Sequence, residues 1–218
     1  MRIGRGLLAA LALTAAALPV AGQTPQQLKF TSPGSVIGSY SGYGSYYVGP
    51  YQATVLSQPG TPTLDIYCVD FLHSISLGYV WTAGFRSLAG DLTGTRGGNS
   101  AAVDYLKAAW LASQFAVSNP AEWKNIQATM WNLFAPTAPD PTAYGAHASN
   151  HWLQEATTNY QTVNPNYWYV VTDVASPGTQ EFLTYVTPEP STYLLLATGL
   201  FFLGFMYLRR TQPGVIRT

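Results

Sequence analysis

The feature that most constrains this chain is an uncharged apolar run, Tyr193 to Leu208, close to the end of 218 residues. A helix of that length on a globular protein would carry a polar stripe, whereas only Thr198, Gly199 and Gly204 interrupt this one. Counted from Ser191, a rise of ~1.5 Å per residue gives roughly 27 Å of helix, just under the ~30 Å of a bilayer's hydrocarbon core. The run therefore reads as a membrane span over residues 192–208. Arg209, Arg210 and Arg217 follow it and Glu189 precedes it, which predicts a cytoplasmic tail at 211–218 and an external body. At the other end, the basic start Met1 to Arg5 and the Leu/Ala-rich stretch Gly6 to Val20 read as a secretory signal peptide, residues 1–22, cleaved after Gly22. What remains to fold is one extracytoplasmic domain at 23–186, long enough for a core of its own.

Immediately before the span stand Pro188, Glu189, Pro190 and Ser191, and immediately after it Arg209 and Arg210. A Pro-Glu-Pro triplet, a short span and a basic end in that order resemble the PEP-CTERM sorting signal of Gram-negative bacteria, here over 187–210. The resemblance implies that the chain is a substrate of exosortase, a membrane cysteine protease that cuts near the triplet and releases or transfers the external domain. It further implies an inner-membrane anchor with a periplasmic domain, then a cell-surface or extracellular destination among exopolysaccharide.

Charged residues make up 9% of the chain, against a usual ~25%. Between Gln23 and Thr187 five basic side chains face nine acidic ones, a net charge of −4, which offers no basic patch for nucleic acid. The segment Gln23 to Pro33 is polar and reads as irregular. Val36 to Val55, rich in Tyr and Gly, reads as a meander of short strands or else as a tyrosine-rich linker. Leu64 to Phe71 predicts a core strand, and His73 to Trp81 another, with Ile75, Leu77, Tyr79 and Trp81 on one face. After a loop at Gly84 to Gly98, a helix is expected from Asn99 or Ser100 to Phe115, burying Val103, Leu106, Trp110 and Gln114. Asn119-Pro120-Ala121-Glu122 has the cap, first-turn proline and capping-box Glu of a second helix, buried through Trp123, Ile126, Met130 and Phe134. A third helix near Tyr144 to Tyr160 and strands at Tyr167 to Val174 and Glu181 to Val186 complete the expectation. Strands, then helices, then strands make an α+β fold, a single β-rich domain with two or three central helices.

Cys68 is the one cysteine, and an exported chain gives it no internal disulfide partner. Three fates stay open: an inert core residue, an intermolecular disulfide, or a reactive thiol. Tyr67-Cys68-Val69, Ile126-Gln127-Ala128-Thr129-Met130-Trp131 and Thr179-Gln180-Glu181-Phe182-Leu183 resemble, in order, the three motifs of bacterial surface thioester domains. That resemblance implies an internal thioester between Cys68 and Gln180, supported by Gln127 and Trp131, and covalent attachment to an amine or hydroxyl on a partner surface or exopolysaccharide. Ile126, Thr129 and Thr179 depart from the family's pattern, which leaves Gln127 as the fallback acyl partner. His147, His151 and Glu155 could share one helical face, but Ala148 stands where the zinc-protease motif has Glu, so neither metal nor cofactor is expected. With no catalytic signature around Cys68, the chain reads as a non-enzyme; a cysteine protease would need His73, His147 or His151 beside the thiol.

Overall fold

The structure is a computed structural model that describes residues 24–140, 151–174, 178–186, 196–203 and 206. The chain divides into two units, and the unit Leu18–Thr187 holds the folded body. Among the described residues eight strands form: β1 (Gln26–Ser32), β2 (Val36–Tyr40), β3 (Gly44–Val48), β4 (Tyr51–Val55), β5 (Thr63–Cys68), β6 (Val80–Ser87), β7 (Trp168–Asp173) and β8 (Phe182–Tyr185). Six of them close a barrel in the order β1-β4-β5-β8-β7-β6, every pair antiparallel, while β2 and β3 make a separate hairpin. The helices α1 (Ala102–Gln114), α2 (Trp123–Phe134) and α3 (His151–Asn159) lie between β6 and β7 in the chain. The architecture is α+β, as the order of elements predicts.

Side-chain alternation explains the closure. On β5, Leu64, Ile66 and Cys68 are buried and alternate with Thr63, Asp65 and Tyr67. With Leu28, Phe30, Ala53, Val55, Trp81, Ala83, Val171 and Phe182 they form one cluster, the barrel interior. Filling a barrel this small takes large side chains: the Phe182 ring stacks on Phe30 at 6.5 Å and meets Tyr51 edge-on at 6.3 Å. β7 and β8 are buried on both faces, because Val170 and Leu183 point outward into a second cluster with Tyr105, Leu111, Ile126 and Met130 from the helices.

Asn119 caps the turn before α2, its Oδ1 accepting the Ala121 amide at 2.9 Å, with Pro120 at the first position as the sequence predicts. Helix α2 is the element that links the two clusters. Ile126 and Met130 face the helical cluster, and Ala128 and Trp131 face the barrel end. The β2–β3 hairpin lies on α2, its Tyr40 hydroxyl donating to the Lys124 carbonyl at 2.7 Å. Gly49 leads the hairpin into β4 at φ +102°, and a Cβ there would sit 2.5 Å from the Trp123 ring, so the position excludes any side chain.

Three expectations are corrected. Gln26 to Ser32 is not irregular but the first barrel strand; its outward side is polar and only Leu28 and Phe30 turn inward. The strand expected at His73 to Trp81 is a turn-rich segment through Tyr79, with Leu77 and Tyr79 exposed, and the real strand, β6, occupies part of the expected loop. Helix α1 buries Tyr105, Ala108, Ala109, Leu111 and Ala112 rather than the face of Val103, since small residues allow the close approach of neighbouring elements. The signal peptide, Pro188 to Ser191, Arg209, Arg210 and the tail lie outside the described residues. So does part of the expected span at 192–208. Residues 196–203 are helical, and among the described residues no helix is long and apolar enough to cross a membrane.

Candidate functional site

The last residue of β5 is Cys68, fully buried and paired across the sheet with Phe182 of β8. Gln180 precedes that strand by two residues, so the strand pairing carries its side chain back over the end of β5. The Gln180 Nε2 donates to Cys68 Sγ at 2.9 Å and to the Asp70 carbonyl at 3.1 Å. From the other side α2 supplies Trp131, whose Nε1 donates to the same sulfur at 3.2 Å. One turn earlier on that helix, Gln127 Nε2 donates to the Cys68 carbonyl at 2.7 Å. The thiol itself donates to the Asp70 carbonyl at 3.3 Å.

The four residues of the expected thioester group, Cys68, Gln180, Gln127 and Trp131, thus meet at Cys68. Gln180 and Trp131 reach Sγ; Gln127 reaches the backbone. The fallback partner is therefore turned away from the sulfur, and its buried Oε1 has no hydrogen-bond partner. A thiol is a weak donor and a weak acceptor, so three polar contacts on one buried cysteine are far more than packing requires. Burial pushes the Cys68 thiol up to about 12, a rise that the Trp131 and Asp70 hydrogen bonds oppose and nearby Asp70 charge supports. Burial first, then Cys68 and Tyr40, likewise raises Tyr51 well above its ordinary value.

Above this group lies a cleft of ≈150 Å³, with Phe30, Tyr46, Tyr47, Tyr51, Trp131 and Gln180 among its lining residues. Tyr46, on the hairpin, meets the Trp131 ring edge-on at 5.7 Å, and Phe71 packs on the same indole at 5.2 Å. The aromatic wall that covers the sulfur is thus built from the Tyr/Gly-rich segment and the turn after β5.

A second group, not foreseen from the sequence, occupies the outer side of that turn. The buried Asp70 carboxylate accepts from Arg96 Nε at 2.6 Å, from His73 Nδ1 at 2.9 Å and from the Leu72 amide at 3.0 Å. Next to it, Glu181 accepts from the Tyr105 hydroxyl at 2.6 Å and the Arg96 amide at 3.0 Å. Arg96 also donates to the Thr179 carbonyl. Desolvation is the main cause that raises the Glu181 carboxyl above its ordinary value, with those hydrogen bonds pulling the other way. Asp70, His73, Arg96 and Glu181 line a separate cavity of ≈430 Å³. The only signal for this group in the sequence is adjacency: Asp70 follows Cys68 by two, and Glu181 follows Gln180.

His73 makes its contacts to Asp70 and, through Nε2, to Arg96 Nη1 at 3.4 Å, which leaves neither ring nitrogen on the thiol. His147 lies outside the described residues and His151 opens α3. Among the described residues no group of His, Cys, Asp or Glu could hold a metal ion. Among known proteins, residues 186–210 match the family model described as the PEP-CTERM protein-sorting motif. No curated protein and no solved structure matches the chain. The folded body lies almost wholly N-terminal to the matched residues, so the chain is similar to that family in its sorting signal.

Proposed function

We propose that this chain is an exported surface or matrix protein, sorted by exosortase, whose barrel attaches covalently to a partner through a thioester between Cys68 and Gln180. The sorting part rests on the match at residues 186–210. The attachment part rests on one observation, the Gln180 carboxamide nitrogen 2.9 Å from a buried thiol.

In thioester formation the Cys68 sulfur bonds to the Gln180 carbonyl carbon, the carbon–nitrogen bond breaks, and the thiol proton leaves on nitrogen as ammonia. With the thiol pushed up to about 12, free thiolate is scarce, so proton transfer must accompany attack. The thiol proton, held on the Asp70 carbonyl at rest, passes to the Gln180 nitrogen 2.9 Å from the sulfur as attack on the carbonyl makes that nitrogen basic. Fixed geometry does the rest, since holding reactants at this distance is worth several kcal/mol of barrier, up to ~7–11 in favourable systems. Trp131 steadies the sulfur, and Gln127 fixes the end of β5. An amine or hydroxyl that then attacks the Gln180 carbonyl becomes an amide or ester of the protein and restores the thiol.

The second reading has the same residues as a passive core in a structural, polysaccharide-associated protein. Complete burial and the raised value of Cys68 are what favour it. Intact mass separates the two. On the chain purified in detergent without reductant or amine, attachment chemistry predicts a deficit of one ammonia, absent in Cys68→Ala; methylamine should add across the thioester, leaving the chain one methylene heavier than the uncyclised form and releasing one titratable thiol. Full mass, with one thiol that reacts on unfolding, sinks the thioester and leaves the passive core.

A further inference from the structure

We infer that the cleft over Gln180 selects a neutral carbohydrate hydroxyl, rather than a lysine ammonium, as the group to which the protein becomes attached. The inference rests on the thioester reading of Cys68 and Gln180.

Three features of the cleft carry it. Five of its lining residues are tyrosine, phenylalanine or tryptophan, Pro33, Ser74, Ile75 and Gln180 complete it, and no charged side chain lines it among the described residues. Tyr47 and Tyr46, 48% and 36% exposed, bring their rings to the surface at its edge, where the apolar C–H face of a pyranose can stack. The carboxylates Asp70 and Glu181 line the other cavity and are held there by Arg96, His73 and Tyr105, so neither is offered to a cation entering beside Gln180. An ammonium would shed its water in the cleft with no counter-charge, a cost that a neutral hydroxyl does not meet. The volume, ≈150 Å³, suits one ring-sized group and excludes a folded chain segment.

The tyrosines also supply polar contacts. The Tyr46 hydroxyl donates to the Tyr43 carbonyl at 3.0 Å and the Tyr51 hydroxyl to the Tyr47 carbonyl at 2.5 Å. Each oxygen keeps lone pairs that can accept from sugar hydroxyls. In the transfer the sugar oxygen bonds to the Gln180 carbonyl carbon, the carbon–sulfur bond breaks, and the hydroxyl proton passes to Cys68 Sγ. Burial makes the departing sulfur a strong base, which suits it to take a proton from a weakly acidic alcohol.

The deciding experiment incubates the full chain, already shown to carry the ammonia deficit, with methyl glucoside and Nα-acetyllysine at equal concentration, and reads adducts by intact mass. The glucoside ester is expected to exceed the lysine amide. Tyr47→Ala is expected to lower the ratio of glucoside to lysine adduct roughly two- to tenfold, the scale of one lost aromatic contact, and Tyr47→Phe to restore it. A dominant lysine amide, or a ratio unmoved by Tyr47→Ala, overturns the carbohydrate assignment and spares the thioester. Full mass before any nucleophile is added overturns both.

Discussion

Two polar groups sit back to back at the end of β5, and they are built on opposite principles. The outer one is ionic and complete: Asp70 accepts from Arg96, His73 and a backbone amide, and Glu181 from Tyr105 and the Arg96 amide. The inner one is uncharged and unfinished. Its thiol is crowded by Gln180 and Trp131, and Gln127 Oε1 is left without a partner. A satisfied network rigidifies, whereas a buried polar group left unsatisfied costs stability. On the proposed reading, the outer group belongs to structure and the inner to chemistry. They share one residue, Asp70, whose carboxylate belongs to the outer group and whose carbonyl receives both the Cys68 thiol and the Gln180 amide. If the thioester forms, the ionic clamp on the Asp70 carboxylate aims the carbonyl that aligns Cys68 with Gln180.

The largest effect should come from breaking the clamp. Arg96→Ala strips a buried carboxylate of its strongest partner, and losing one member of a buried pair costs about 3 kcal/mol or more. Urea unfolding should show that loss, and the yield of any ammonia-deficient species should fall with it. If stability drops while Cys68 and Gln180 still react in full, the two groups are independent and the shared carbonyl aligns nothing.

The inner group was legible in the sequence and the outer was not. Cys68, Gln127, Trp131 and Gln180 come as short motifs with fixed neighbours, so a resemblance could pick them out before any fold was known. Asp70, Arg96 and Glu181 are single charges far apart in the chain, joined only because β5 and β8 pair and the loop after β6 folds over them. The barrel was partly hidden for a different reason. Only Leu28 and Phe30 of β1 face inward, too few for a visible alternation, and in Ile75, Leu77, Tyr79 and Trp81 the alternation is real but runs through a turn. In α1 the packing face is mostly alanine, which hydrophobic periodicity weighs less than the exposed Val103. Helix α2 announced itself because its cap, proline and aromatic face all agree.

A pH series sharpens the contrast with a smaller effect. The folded-state value of Glu181 lies above the ordinary 4.5, mainly through desolvation, so the folded chain holds this proton more tightly than the unfolded one. That contribution is fully present below about 4.5 and is lost as pH rises through the raised folded value, giving a declining slope of stability against pH. Glu181→Gln should flatten that slope, at a cost of roughly 1–2 kcal/mol because only one amide oxygen remains to accept from Tyr105 and Arg96. Thermal unfolding at a series of pH values reads both quantities. An unchanged slope in the variant would assign the pH dependence to other groups and remove Glu181 from the clamp.

The smallest expected change in stability is the most telling for chemistry. Gln127→Met keeps the length of the side chain, deletes the amide that binds the Cys68 carbonyl at 2.7 Å, and also deletes the unpartnered Oε1. Orphaning a buried carbonyl and removing a buried orphan are opposing terms of about 1–3 kcal/mol each, so the net effect on unfolding should stay within about 1 kcal/mol. A passive core would register nothing further. If the inner group exists to hold the end of β5 in place for reaction, the same variant should slow appearance of the ammonia deficit during refolding, measured by mass against time, while the stability curve barely moves. A large loss of stability instead would mean that Gln127 is simply a strut, and the contrast between a structural outer group and a chemical inner one would fail at the residue where it is most exposed to test.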